Sequence, residues 1–91
     1  MHINLPRIKG TAYDALLNDL ITSVNTAGKD DVPDQPLFAA SAAAAIGRFL
    51  MEKTDVKTGG PWIAMTVPLV GNIPIMPMAD MMYNKLVELA K

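Results

Sequence analysis

Apolar residues recur at helical spacing in the first third of the chain. Their intervals of three, four, seven, eight and eleven residues place them on one side of an α-helix. The stripe consists of Tyr13, Leu16, Leu17, Leu20, Ile21 and Val24. Thr11 can cap the start, Asp14 suits the positive end of the helix, and Gly28 is a typical stop. We predict a helix over residues 11–27.

A polar loop should follow, and then a second helix rich in alanine. The alanine run favours a helix over residues 36–53, with Pro36 suited to its first turn. Ala39, Ala43 and Gly47 recur every four residues and make one face of the helix very thin. Such a face lets two helix axes approach closely. It fits either a crossing against the first helix or a seam between identical copies of the chain.

The stretch from Gly59 to Ala79 is apolar and uncharged, yet it contains four prolines. Residues 62–67 resemble a buried strand, and Gly71 suits a tight turn that requires a positive φ. The prolines argue against a regular strand ladder, because each removes a hydrogen-bond donor. We therefore expect an irregular, proline-rich, β-hairpin-like segment over residues 59–77, after a polar loop at residues 54–60.

A third helix is predicted over residues 78–90, with Met78, Met81, Met82, Leu86 and Leu89 on its apolar face. At the other end of the chain, Ile3 and Leu5 alternate with polar residues before a proline. This pattern predicts an extended arm over residues 1–10. The expected fold is mostly α: a small three-helix domain, residues 1–91, with an N-terminal arm and the hairpin-like segment before the last helix.

The composition is more apolar than a small domain can easily bury. Of 91 residues, 51% are of the types AVILMFWYC, and six glycines come in addition. Since chains of this size bury only about 60–65% of their unfolded surface, part of the apolar surface should be covered by another molecule. The net charge is −1 and the basic residues are spread singly, so we expect no nucleic-acid partner.

Candidate chemistry is sparse. The chain has no cysteine and a single histidine, His2. It therefore lacks the side chains that a nucleophile relay or a transition-metal site requires. Asp30, Asp31 and Asp34 miss the spacing of a calcium loop, and a solvated loop explains them better. We therefore expect a non-enzymatic protein with no catalytic residue, cofactor, metal or small-molecule substrate.

These observations favour a structural subunit that self-associates or packs into a larger particle such as a virion, tail or filament. The alternatives are a peripheral membrane or lipid-interacting protein and a small adaptor that binds a partner helix in a Met-rich groove. The sequence has no evident signal peptide or transmembrane helix, so a cytoplasmic or particle-associated protein is expected. The expected interface residues are Ile3, Leu5, Trp62, Ile63, Met65, Val67, Leu69, Ile73, Ile75, Met76 and Met78.

Overall fold

The computed structural model describes residues 11–27, 35–53, 56–71 and 73–91. These ranges contain no β-strand. They form the helices α1 (Thr11–Thr26), α2 (Gln35–Lys53), α3 (Val56–Ala64), α4 (Thr66–Val70) and α5 (Met76–Ala90). The mostly α fold is therefore confirmed, while the arm predicted for residues 1–10 lies outside the described residues.

The three predicted helices correspond to α1, α2 and α5, and their ends differ by at most two residues from the predicted ends. The prediction of three helices is nevertheless too low, because α3 and α4 occupy the region expected to be a polar loop and a hairpin. The two additional helices also pack against α2. The small residues of α2 can therefore contact α3 and α4 as well as α1.

The β-hairpin-like segment predicted over residues 59–77 is not found, because most of it is helical. Pro68 is the third residue of α4 and Pro77 the second residue of α5. N–H groups in a first helical turn have no partner within the helix, so proline removes nothing there. Pro61 differs, because it lies beyond the first turn of its helix, α3. The prolines therefore separate short helices and do not prevent them.

Gly71 has the positive φ that the sequence predicts, at 61°. Its N–H donates a hydrogen bond to the Val67 carbonyl at 2.9 Å. This contact closes the end of α4, so the residue terminates a helix and does not link two strands. Glycine is suited to this position because a side chain disfavours positive φ.

Helix α2 lies at the centre of the fold and contacts each of the other four helices. Helices α1 and α5 contact each other, as do α3 and α4, but in the described residues neither α1 nor α5 has Cα atoms within 8 Å of α3 or α4. The fold therefore has two layers on different sides of α2. This arrangement explains why most residues of α2 are buried, including nearly all of its alanines.

The core joins side chains from four helices. Tyr13 and Leu20 of α1 are almost completely buried with Leu50 of α2 and Leu86 of α5. Trp62 of α3 belongs to the same cluster. The rings of Tyr13 and Phe49 lie 6.3 Å apart between centroids and are tilted by 47°, within the range of favourable aromatic pairs.

The thin face of α2 is buried inside the chain. Ala39 and Ala43 are fully buried, and Gly47 lies against Gly59 and Ile63 of α3. Of the two interpretations given above, the seam between copies is wrong for these residues. The interpretation as a crossing within the chain is correct, but at Gly47 the neighbouring helix is α3 and not α1.

Candidate interaction surface

Several large apolar side chains remain exposed near the end of α2, on α3 and α4, and at and just before the start of α5. Val67 is 68% exposed, Met76 56% and Ile73 55%. Ile63 and Met51 are each 38% exposed. We call these five residues, Met51, Ile63, Val67, Ile73 and Met76, the apolar surface.

Part of the apolar surface forms a shallow depression of about 320 Å³. Ala44 of α2 lies in it, and Met51, Ile63 and Met76 line it together with Arg48 and Glu52. The depression thus brings residues from α2, α3 and α5 together, although they are far apart in the sequence. It has apolar walls and one charged edge.

The charged edge is a cluster that fastens α2 to α5. Arg48 donates from Nη1 to Asp80 Oδ1 at 2.8 Å and from Nε to Glu52 Oε1 at 3.3 Å. Its guanidinium carbon lies 4.0 Å from the centroid of the Tyr83 ring, a cation–π contact. The Tyr83 hydroxyl donates a hydrogen bond to Glu52 Oε2. Each charged group therefore has an opposite partner.

These contacts shift the ionisation of the cluster. The hydrogen bond from Tyr83 holds the pKa of the Glu52 carboxyl below its usual range, and Arg48 adds to the effect. The same hydrogen bond raises the pKa of Tyr83, with burial as a second cause. The hydrogen bond to Glu52 also raises the pKa of Arg48. Glu52 therefore stays ionised and Tyr83 stays protonated across neutral pH, so the hydrogen bond that joins α2 to α5 persists there.

A second concave region lies between α1, the start of α2 and α5. This α1–α5 groove has a volume of about 500 Å³. Its walls are apolar, and Asn84, Lys85 and Glu88 are the polar residues that line it. The apolar lining residues are Leu16, Leu20, Phe38, Met81 and Met82. Met81 is 64% exposed and Phe38 38%, so the fold leaves both partly uncovered.

The structure places the predicted interface residues in three different environments. Ile63, Val67, Ile73 and Met76 are exposed on the apolar surface. Met65, Leu69, Ile75 and Met78 are partly buried, and Met65 and Met78 pack against the core. Trp62 is buried in the core, and its indole N–H has no hydrogen-bond partner among the described residues. Ile3 and Leu5 lie outside the described residues.

Sequence reasoning did not select Met51, Phe38 or Met81 as interface residues. Met81 was assigned to the apolar face of the last helix, together with its neighbour Met82. Adjacent helical residues point about 100° apart, so the two cannot both face the core equally. That spacing was the signal available for Met81, and we find none for Phe38 and Met51.

Other kinds of site find little support in the described part of the chain. Those residues include no group of three or more histidine, cysteine or acidic side chains placed to hold a metal ion. Within the same ranges, no helix has both the length and the hydropathy needed to cross a bilayer. Comparisons with family models, curated proteins and solved structures found no match to this chain.

Proposed function

We propose that this protein is a non-enzymatic structural subunit that self-associates through the apolar surface. The observation that carries the proposal is the exposure of Ile63, Val67, Ile73 and Met76 in a segment that has no charged residue between Thr58 and Ala79. Exposed apolar side chains grouped in one region are typical of protein or membrane contact sites.

Charge and size are both compatible with association between copies. A net charge of −1 produces little repulsion between identical molecules. A stable protein interface buries about 800 Å² on each partner, which is about one seventh of the 5,695 Å² that the chain exposes. A single contact of ordinary size would therefore occupy only a small part of the surface of this chain.

The test is the native mass of the purified full chain, measured by size-exclusion chromatography with light scattering over a concentration series. We expect the wild-type mass to exceed the monomer mass and to rise with concentration. Val67→Asp should lower the mass to that of a monomer, because the new carboxylate would have to be desolvated in the contact. A wild-type protein that remains a monomer at high micromolar concentration would contradict the proposal.

Asn18→Asp is the matched control, since it adds the same charge at an exposed position of α1. It should leave the mass unchanged. Sedimentation with neutral lipid vesicles distinguishes the membrane alternative. A self-associating subunit should stay in the supernatant, and a lipid-binding protein should pellet with the vesicles.

A further inference from the structure

The depression in the apolar surface is lined by two methionine side chains from distant parts of the chain. Met51 lies near the end of α2, and Met76 is the first residue of α5. Resting on the proposed function, we infer that these two thioethers are a site of reversible oxidation by peroxide, and that their oxidation releases the copies from each other. The same surface that holds the copies together thereby responds to oxidants.

The fold sorts the methionines of the chain by exposure. Met76 is 56% exposed and Met51 38%, whereas Met82 is 5% exposed and belongs to the core. Met65 and Met78 are partly buried and pack against that core. Because a peroxide must reach the sulfur atom, oxidation of the folded protein follows exposure. The methionines of the depression therefore react while those of the core are spared.

The reaction is a two-electron oxygen transfer. The thioether sulfur attacks one oxygen of hydrogen peroxide, the O–O bond breaks, an S–O bond forms, and the other oxygen leaves as water. Sulfur is oxidised and the peroxide is reduced. A methionine sulfoxide reductase supplied with a dithiol reverses the step. In that reaction the sulfoxide oxygen leaves as water and the dithiol becomes a disulfide, so the thioether is restored.

The sulfoxide group is polar and accepts hydrogen bonds, so it changes what the depression offers to a neighbouring copy. The chain around Met76 has no charged residue from Thr58 to Ala79. At the edge of the depression, Arg48 Nε and Nη1 and the Tyr83 hydroxyl already donate to carboxylates of the same chain. A sulfoxide buried in the contact would therefore lose its water without gaining a donor from these groups, which opposes association.

Met81 provides an internal comparison. It is 64% exposed, but it lines the α1–α5 groove and not the depression. Oxidation and association compete at the apolar surface, since a contact that covers Met51 and Met76 also shields them from peroxide. Raising the protein concentration should therefore slow the oxidation of Met51 and Met76 and leave that of Met81 unchanged.

The experiment treats the full chain with hydrogen peroxide at several protein concentrations. Peptide mass spectrometry measures the oxidised fraction of each methionine, and light scattering measures the association constant. In the wild type, we expect Met76 and Met51 to be oxidised well before Met82. The association constant should fall about tenfold for each sulfoxide that the contact must desolvate. Treatment with the reductases for both sulfoxide epimers should restore it.

Two leucine variants identify the methionines responsible, because leucine is close to methionine in volume and forms no sulfoxide. Each variant is compared with itself before and after peroxide, so that a change in its starting affinity does not enter the result. Met51→Leu/Met76→Leu should keep its association constant on oxidation. Met81→Leu is the matched control and should lose association as the wild type does.

Several results would overturn the inference. If the double variant dissociates on oxidation as the wild type does, another methionine is responsible, although the proposed function stands. The same holds if Met51 and Met76 are oxidised and the association constant does not change, or if they are oxidised no faster than Met82. Circular dichroism after peroxide must show an intact fold, since dissociation through unfolding would also contradict a switch at the surface.

The native mass before peroxide is added tests the proposed function separately. If the wild type is a monomer at that stage, the proposed function fails and the release of copies by oxidation fails with it. The peptide map of that monomer then still decides whether Met51 and Met76 are an oxidation site.

Discussion

Gly47 and Gly59 face each other where α2 crosses α3. A Cβ atom on Gly47 would lie 2.8 Å from the Gly59 carbonyl oxygen and 2.6 Å from Ile63 Cγ1. In return, a Cβ atom on Gly59 would meet the Gly47 carbonyl oxygen. Because backbone atoms lie on both sides of the contact, rotation of a side chain cannot relieve it. The two helices would have to separate.

Substituting either glycine should therefore destabilise the fold. We expect Gly59→Ala to lower the free energy of unfolding by about 1–3 kcal/mol, the usual cost of forcing extra methyl groups into a packed contact. Urea denaturation followed by circular dichroism measures the change. Gly60→Ala is the control, because a Cβ atom there meets nothing within 4 Å outside its own chain neighbours. It should cost less stability than Gly59→Ala, since the helix preference of alanine over glycine opposes the clash between the new Cβ atom and the ring of Pro61. Equal losses in the two variants would contradict the crossing described here.

The prolines of α3 and α4 should respond to alanine substitution with opposite signs. Pro61 is exposed and lies inside α3, where proline costs about 3 kcal/mol relative to alanine. We expect Pro61→Ala to stabilise the protein by about 1–3 kcal/mol. Pro68 lies in the first turn of α4, where it chiefly restricts the unfolded chain. Pro68→Ala should therefore destabilise by about 0.4–1 kcal/mol. Thermal unfolding of both variants tests the pair, and a loss of stability in Pro61→Ala would argue against α3.

The prolines also explain which parts of the fold could be predicted from the sequence. The stripe that includes Leu16 and Leu20 repeats at helical spacing, so α1 was predicted almost to its ends. The segment containing Pro61 and Pro68 has no such repeat, and a proline in a first turn has the same sequence signature as a proline that breaks a strand. Only the packing of this segment against α2, which the sequence does not show, distinguishes a proline that starts a helix from one that breaks a strand.

The candidate site was predictable in location but not in detail. The absence of charge indicated the region around Val67, whose exposure the structure provides. The absence of charge could not show that Val67 is exposed and Trp62 is buried, because both side chains are apolar and only the tertiary fold decides which one is covered. The α1–α5 groove was not predictable, since it needs the relative position of three helices.

Substitutions at Trp62 and Val67 should therefore differ in their effect on the free energy of unfolding. Trp62 is 6% exposed and belongs to the core. Trp62→Ala should lower the free energy of unfolding by about 3–5 kcal/mol, as removal of a buried aromatic side chain does. Val67→Ser, at a residue that is 68% exposed, should change stability by no more than about 0.5 kcal/mol. Denaturation of both variants at the same low concentration, where association is minimal, gives the comparison. Comparable losses in the two variants would show that Val67 supports the fold itself.

The hydrogen bond from Tyr83 to Glu52 should make stability depend on pH at both extremes. The pKa of Glu52 is lowered in the folded state, from an ordinary value of 4.5. The ionised Glu52 carboxylate therefore contributes its full share of stability above pH 4.5. This stability is lost as the pH falls through the lower pKa of the folded state. The pKa of Tyr83 is raised from 10.0. Its contribution is full below pH 10.0 and is lost as the pH rises through the higher folded value.

Replacing Tyr83 by phenylalanine removes the hydroxyl and keeps the ring over Arg48. Tyr83→Phe should reduce the loss of stability below pH 4.5, because the hydrogen bond is the largest cause of the shift of the Glu52 pKa, and it should remove the tyrosine-dependent loss above pH 10.0. Urea denaturation across the pH range measures both. In a Glu52→Gln background, Tyr83→Phe should have no effect on the acid side. An acid-side effect that persists in that background would mean that Tyr83 acts through another group, and the clamp between α2 and α5 would need a different account.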